Sequence, residues 1–196
     1  MFKFSKPYLT EGVSSVVYHW TSLYNCCEIL KTNSFHMSRS IGTNEYGNKK
    51  FYMSTTRNRN LKVSYANTMF RHAHAVARLQ LDGDKLNATL KGFPVDYYGE
   101  DGKQRYYTGI NIPFALKQFH WDNEMEDRVV SNKPTIENFS QYIIRVDIYC
   151  ADTEYCSTQE MEIIRQLKQQ YPQLVHVYDN KTAFNHQTDK ESNMFG

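Results

Sequence analysis

The sequence predicts an α+β domain. Three observations carry this. The 196 residues suffice for one domain with a real core. Apolar residues make up 40%, near the globular average, which excludes a disordered chain. Segments with the strand period of two and the helix period of 3.6 are mixed along the chain. They lack the regular strand–helix alternation of a doubly wound sheet.

Residues 13–20 are apolar and β-branched, which predicts a first strand. Residues 23–31 carry Leu23, Cys26, Cys27 and Leu30 at helical spacing, which predicts a short helix. A short strand is expected at 35–38. Residues 41–50 hold two Gly, two Asn and a Thr and read as a loop. Phe51-Tyr52-Met53-Ser54 is a strand that runs into a polar stretch, where the chain is expected to emerge from the sheet. Asn60 is a candidate cap for a helix at 61–67. Residues 75–81 form a less regular strand, and Asp82-Gly83-Asp84 reads as the turn that closes it. Residues 94–109 read as an aromatic loop, and 112–119 as a helix with Pro113 in its first turn. Residues 142–149 alternate Ile and Val with polar residues and form the clearest strand. The clearest helix is 158–170, with Met161, Ile164 and Leu167 on one stripe and Tyr171-Pro172 after it. A last strand is expected at 174–178. One catalytic domain spans 1–180, and 181–196 is a polar, frayed tail.

The net charge of +2 does not by itself point to nucleic acid. The basic residues are uneven, however. Lys49, Lys50, Arg57, Arg59, Lys62, Arg71 and Arg78 lie in a stretch with no acid between 47 and 81. This stretch is either a phosphate-attracting patch or a solvated face. No segment approaches the ~20 apolar residues that span a membrane, so no membrane partner is expected. The first residues lack the apolar run of a secretory signal. The four cysteines, Cys26, Cys27, Cys150 and Cys156, form no Cys-x-x-Cys and are expected to be reduced thiols in a cytoplasm. Cys26 and Cys27 are expected to pack rather than react.

Three polar clusters stand out: Tyr18-His19-Trp20-Thr21-Ser22, Ser54-Thr55-Thr56-Arg57-Asn58-Arg59 and Glu124-Met125-Glu126-Asp127-Arg128. In the first, His19 can donate from one ring nitrogen and accept at the other, and Thr21 and Ser22 add hydroxyls. One of those two hydroxyls is expected to cap the following helix. The second combines three hydroxyls with arginines, which pair with phosphate in a bidentate way. The bland alternative is a polar turn. In the third, Glu124 and Glu126 would share one face of a strand. There, one carboxylate could stabilise a cationic transition state while the other orients the attacking group. Here the alternative is a solvated acidic turn.

Taken together, His19-x-Thr21 at the end of the first strand, Ser54-Thr55-Thr56 on a middle strand and Glu124-x-Glu126 late in the chain resemble the ADP-ribosyltransferase superfamily. The resemblance implies a split mixed or antiparallel sheet with flanking helices, covering roughly residues 17–149. It also implies that NAD is the substrate. His19 and Thr21 would hold it, Ser54, Thr55 and Thr56 would line the nicotinamide–ribose pocket, and Tyr65 or Tyr52 would supply a stacking ring. Glu126 would be catalytic and Glu124 would orient the acceptor. Arg57, Asn58, Arg59, Lys62 and Arg71 would meet nucleic-acid phosphates. The family pairs a first-strand Arg with Ser-Thr-Ser, or a first-strand His with a middle Tyr, and this chain mixes the two patterns.

The expected activity is therefore cleavage of an N-glycosidic bond through a cationic sugar, with ADP-ribose passed to a nucleic acid or protein. The same electrostatics would serve a DNA N-glycosylase, which needs a phosphate track, a base pocket and no cofactor. A non-catalytic binding protein is the third alternative. Asp82-Gly83-Asp84 lacks the later ligands of a calcium loop, and His72 and His74 lack a second ligand pair, so no metal is expected.

Overall fold

The computed structural model describes residues 13, 15–39, 51–57, 59, 75–94, 126–150 and 156–187, with the backbone alone at 93, 94 and 126. Glu124, Tyr65, Asn58, Lys62 and Arg71 lie outside the described residues, as do the loops expected at 41–50 and 95–109 and the helices expected at 61–67 and 112–119.

Ten strands and four helices are described, an α+β architecture. In chain order they are β1 (Val16–Ser22), α1 (Leu23–Thr32), β2 (Ser34–His36), β3 (Ser38–Arg39), β4 (Phe51–Thr56), β5 (Ala75–Asp82), α2 (Gly83–Thr89), β6 (Lys91–Pro94), β7 (Glu126–Ser131), β8 (Thr135–Glu137), β9 (Ile143–Cys150), α3 (Thr158–Gln170), β10 (Val175–Tyr178) and α4 (Lys181–His186). A 3-10 turn at Phe139–Tyr142 precedes β9. The main sheet runs β10-β9-β5-β1-β4-β7-β6, with β3 against β4, and β2 pairs β8 separately. Among the described strands only β9 and β10 are parallel, so the sheet is mixed.

The sheet is split. β1 pairs β5 at seven positions, from Val16↔Asp82 to Ser22↔Val76. Among the described residues its other neighbour, β4, pairs with it only at Tyr18↔Thr56. β4 in turn pairs β7 along six residues, from Phe51↔Ser131 to Thr56↔Glu126. Two well-laddered halves therefore meet along a short seam.

One face carries the main core. Val17, Leu79, Leu81, Met53, Val129, Val146, Ile148, Val175 and Val177 project from the strands and pack with Leu23, Cys26 and Leu30 of α1 and Ile164 and Leu167 of α3. The helix α3 has the predicted bounds, because its stripe is buried and both ends are marked. Ser157 and Glu160 form a reciprocal capping box, and Tyr171 N–H closes on Leu167 O at 2.8 Å. Ser22 caps α1 by accepting from Asn25 N–H at 3.2 Å, and Asn33 ends that helix at φ 50°.

The second face holds a smaller cluster of Val76, Tyr178, Ala183 and Phe184, with Trp20 and Tyr149 against it. For residues 181–187 this corrects the expectation of a frayed tail; 188–196 lie outside the described residues. Asn180 caps α4 through Thr182 and Ala183 N–H, and Phe184 is fully buried. A single aromatic in a polar segment gave no periodic signal. Asp82-Gly83-Asp84 is likewise corrected from a turn to a helix start, since Asp82 accepts from Lys85 N–H at 3.0 Å and caps α2. The expectation of four reduced cysteines is corrected at one pair. Cys150 at the end of β9 and Cys156 before α3 are joined by a disulfide, while Cys26 and Cys27 are free and buried. Among the described residues no helix is long and apolar enough to cross a membrane.

Two stability predictions follow from this packing. Phe184→Ala should cost about 3–5 kcal/mol in urea unfolding, and a loss under about 1 kcal/mol would mean that α4 is not docked. Ser157→Ala should cost about 1 kcal/mol by removing one half of the capping box, with Ala at the exposed Gln169 as the near-neutral control.

Candidate active site

The seam between β1 and β4 is where the first two polar clusters come together. Continuing the Tyr18↔Thr56 register would bring Ser54 beside Trp20, but the ladder stops. A backbone carbonyl left by an interrupted ladder needs another donor. Ser54 O finds it in His19, whose Nδ1 lies 2.8 Å away. A carbonyl only accepts, so Nδ1 carries the proton and the neutral ring presents Nε2 as an acceptor. Burial pushes the His19 pKa below its usual range, and the bond to Ser54 O opposes that shift without cancelling it. The ring also meets Phe35 edge-on, with centroids 4.8 Å apart. His19 is thus held in one orientation as a neutral imidazole.

Strand alternation divides the remaining hydroxyls between the two faces. Thr21 and Thr55 lie on the main-core side with His19, and both are buried. The Thr55 hydroxyl donates to Asp127 O at 2.7 Å. Ser54 and Thr56 lie on the second side with Tyr18 and Tyr52. The polar run was expected to mark where the chain leaves the sheet, and this is corrected. β4 continues through Thr56, because β-branched threonines suit a strand and Thr55 satisfies its hydroxyl across the ladder.

The third cluster enters through β7. The Glu126 backbone pairs with Thr56, which pairs with Tyr18, so the three positions form a row across the seam. Two strand spacings put the Glu126 and Tyr18 backbones about 10 Å apart. From Glu126 onward the acidic-turn alternative does not hold, since β7 begins there. Asp127 is buried within β7 and sits 3.4 Å from the half-exposed Arg57 Nε. Arg128 is also buried and places its guanidinium 4.3 Å from the centre of the Tyr52 ring. The sequence reading gives Asp127 and Arg128 no role; the β-branched pair Val129-Val130 is the local signal that could place them on a strand. Among the described residues no group of acidic, histidine or cysteine side chains is placed to hold a metal. Burial, with Cys27 beside it, pushes the Cys26 thiol up to about 12, so it is not a thiolate at neutral pH.

Arg78 departs from the basic stretch. It is fully buried on the second face and donates to Asp147 Oδ2 from Nε at 3.2 Å and Nη2 at 2.9 Å. It therefore belongs to the scaffold and not to a phosphate-facing patch.

Fold and site together define an α+β protein with a split sheet, a neutral histidine wedged at the split and a glutamate position two strands away. No protein-family model matches the chain, and no curated protein matches it. Among solved structures the chain is similar to Thermus sp. 2.9 DarT in complex with NAD+, at 13% identity over 88% of this chain and 99% of that one, with a TM-score of 0.48. Two further structures are of the same protein. The complex with carba-NAD+ is 15% identical over 85% of this chain and 97% of that chain, with a TM-score of 0.46. The complex with ADP-ribosylated ssDNA is 14% identical over 85% and 95%, also at 0.46.

The His19 environment has a pH consequence. Unfolded, the ring titrates near about 6.5, and folded it titrates lower. Between those values the unfolded chain binds the extra proton, so stability falls as pH drops below about 6.5 and levels off under the folded value. His19→Asn keeps a donor for Ser54 O without a titrating ring. The urea midpoint of this variant should fall less between pH 7.5 and 5.5 than the parent's. An unchanged pH dependence would mean that His19 is not held neutral.

Proposed function

We propose that the chain is an ADP-ribosyltransferase-like enzyme that cleaves the nicotinamide–ribose bond of NAD and passes ADP-ribose to a macromolecular acceptor, nucleic acid or protein. The observation that carries this is the His19 ring set into the seam, with its tautomer fixed by Ser54 O; the Glu126 position is in the row of Thr56 and Tyr18, on the other side of the sheet from His19.

In this proposal Nε2 of His19 accepts a hydrogen bond from a ribose hydroxyl, with Thr21 beside it on β1. Ser54, Thr55 and Thr56 border the seam, Thr55 on the side of His19 and Ser54 and Thr56 on the other, and Tyr65 stacks on the nicotinamide. The glycosidic bond breaks with its electron pair going to the nicotinamide nitrogen, which leaves as neutral nicotinamide. The sugar carbon then carries positive charge. The Glu126 carboxylate stabilises it electrostatically, where a fixed charge in a partly desolvated site acts most strongly. Glu124 orients the acceptor, which forms the new bond at that carbon and loses its proton. Arg57, Asn58, Arg59, Lys62 and Arg71 would guide a phosphate-bearing acceptor toward the seam.

The test is nicotinamide release from NAD by purified protein, with labelled NAD used to follow transfer to DNA, RNA or protein. Glu126→Gln should lower kcat on the order of 100-fold while the fold is retained. Absence of NAD turnover, or equal turnover in the variant, would sink the proposal. Abasic sites appearing in DNA without NAD would replace it with base removal by the same carboxylate.

A further inference from the structure

We infer that Arg78 is a positioning residue for this pocket: it fastens the chain leaving β4 back across the seam, so that this chain is held at Arg57 and again at Arg59 as a clamped strap. The inference rests on the proposed use of the seam, and its physical basis is independent of it.

Thr56 ends β4 opposite Tyr18, and β1 stands between β4 and β5. Arg78 is on β5, opposite Trp20. Yet Nη1 of Arg78 donates to the carbonyl of Arg59, only three residues beyond Thr56. The guanidinium reaches this carbonyl over β1, with the Tyr18 and Trp20 rings 5.7 and 5.5 Å from its carbon. The Arg59 carbonyl therefore lies on the β5 side of the seam, within three residues of the end of β4. The start of the strap is held from the other half-sheet, where Arg57 Nε lies 3.4 Å from Asp127 Oδ1 on β7. One short segment is thus fastened to both halves of the split sheet.

The anchor on the β5 side is rigid for a chemical reason. A buried guanidinium must satisfy its donors and pair its charge. Arg78 bonds Asp147 through Nε and Nη2, and Nη2 also reaches Phe184 O at 2.8 Å. The Phe184 ring lies 4.3 Å from the guanidinium carbon. Asp147 is fixed in turn by Arg145 Nε at 2.7 Å and Gln187 Nε2 at 2.9 Å. The planar fork can serve Asp147, Phe184 O and Arg59 O at once, which an ammonium on a single stem cannot do from the same place. The C-terminal helix α4 and the strap thereby share one anchor.

The experiment compares the full-length parent with Arg78→Lys and with the double variant Arg78→Met/Asp147→Leu. The double variant removes both buried charges together, which guards against a variant that fails to fold because one charge is left unpaired. Amide exchange is read by peptide, and NAD kinetics are measured in parallel. In both variants, exchange at 54–59 should accelerate at least about tenfold, with α1 and α3 within about twofold of the parent. KM for NAD should rise roughly five- to tenfold with kcat within about twofold, since a loosened pocket wall weakens ground state and transition state alike. Lysine should not rescue either readout. Unchanged exchange at 54–59 would overturn the inference, and so would acceleration spread equally over α1 and α3, which would make Arg78 a stability residue only. If the parent does not turn over NAD, the proposed function falls, while the exchange pattern still decides whether Arg78 clamps the strap.

Discussion

An antiparallel ladder that stops after one rung leaves backbone groups in need of partners, and much of this structure depends on how that need is met. Among the described residues β1 and β4 share only the Tyr18↔Thr56 pair. Beyond it, the His19 ring takes the place of a rung by donating to Ser54 O. A side chain in a gap between strands does two things that a backbone amide cannot. It holds the halves apart by its own width, and it offers a second polar atom to whatever enters. The same event sets the tautomer, because only Nδ1–H can serve a carbonyl. Structure and candidate chemistry are coupled at one ring.

The second face is organised by a different constraint. Charges excluded from water are tolerated only when paired and fully hydrogen-bonded. Asp147 answers this with Arg78, Arg145 and Gln187, and Arg78 with Asp147, Phe184 O and Arg59 O. The network joins β5, β9, α4 and the segment after β4. Apolar packing alone would leave α4 free to slide, since the Phe184 ring and the Tyr178 and Trp20 rings can meet at several offsets. The directional bonds select one of these arrangements.

Elements whose own periodicity is strong were legible from the sequence. β1, α1, β9, α3 and β10 appear at or within a few residues of their expected bounds, because their buried stripes or alternations are local patterns. Elements with a weak local signal were missed or misread. β6 and β8 are four and three residues long, too short to show a period. α2 begins at an Asp-Gly that also suits a turn, and α4 rests on one buried Phe. β4 is cut short at its polar end in the sequence reading and β7 is not assigned, because burial of Thr55, Thr56, Asp127 and Arg128 is possible only with partners supplied by the neighbouring strand.

For the candidate site, residue types and chain order point to His19, the Ser54-Thr55-Thr56 step and Glu126 as candidates for one chemistry. They could not tell a phosphate-facing arginine from a buried one. Arg57 and Arg78 read alike as members of a basic stretch, yet one is half-exposed beside Asp127 and the other is sealed beneath α4. The physical reason is range. A two- or 3.6-residue period records which face of an element is apolar, and the sequence by itself determined that much. Which polar groups are satisfied depends on partners far away in the chain, such as Asp147 at 69 residues and Phe184 at 106 residues from Arg78. Only the tertiary structure brings them within hydrogen-bonding distance, and it alone decided where the sheet divides.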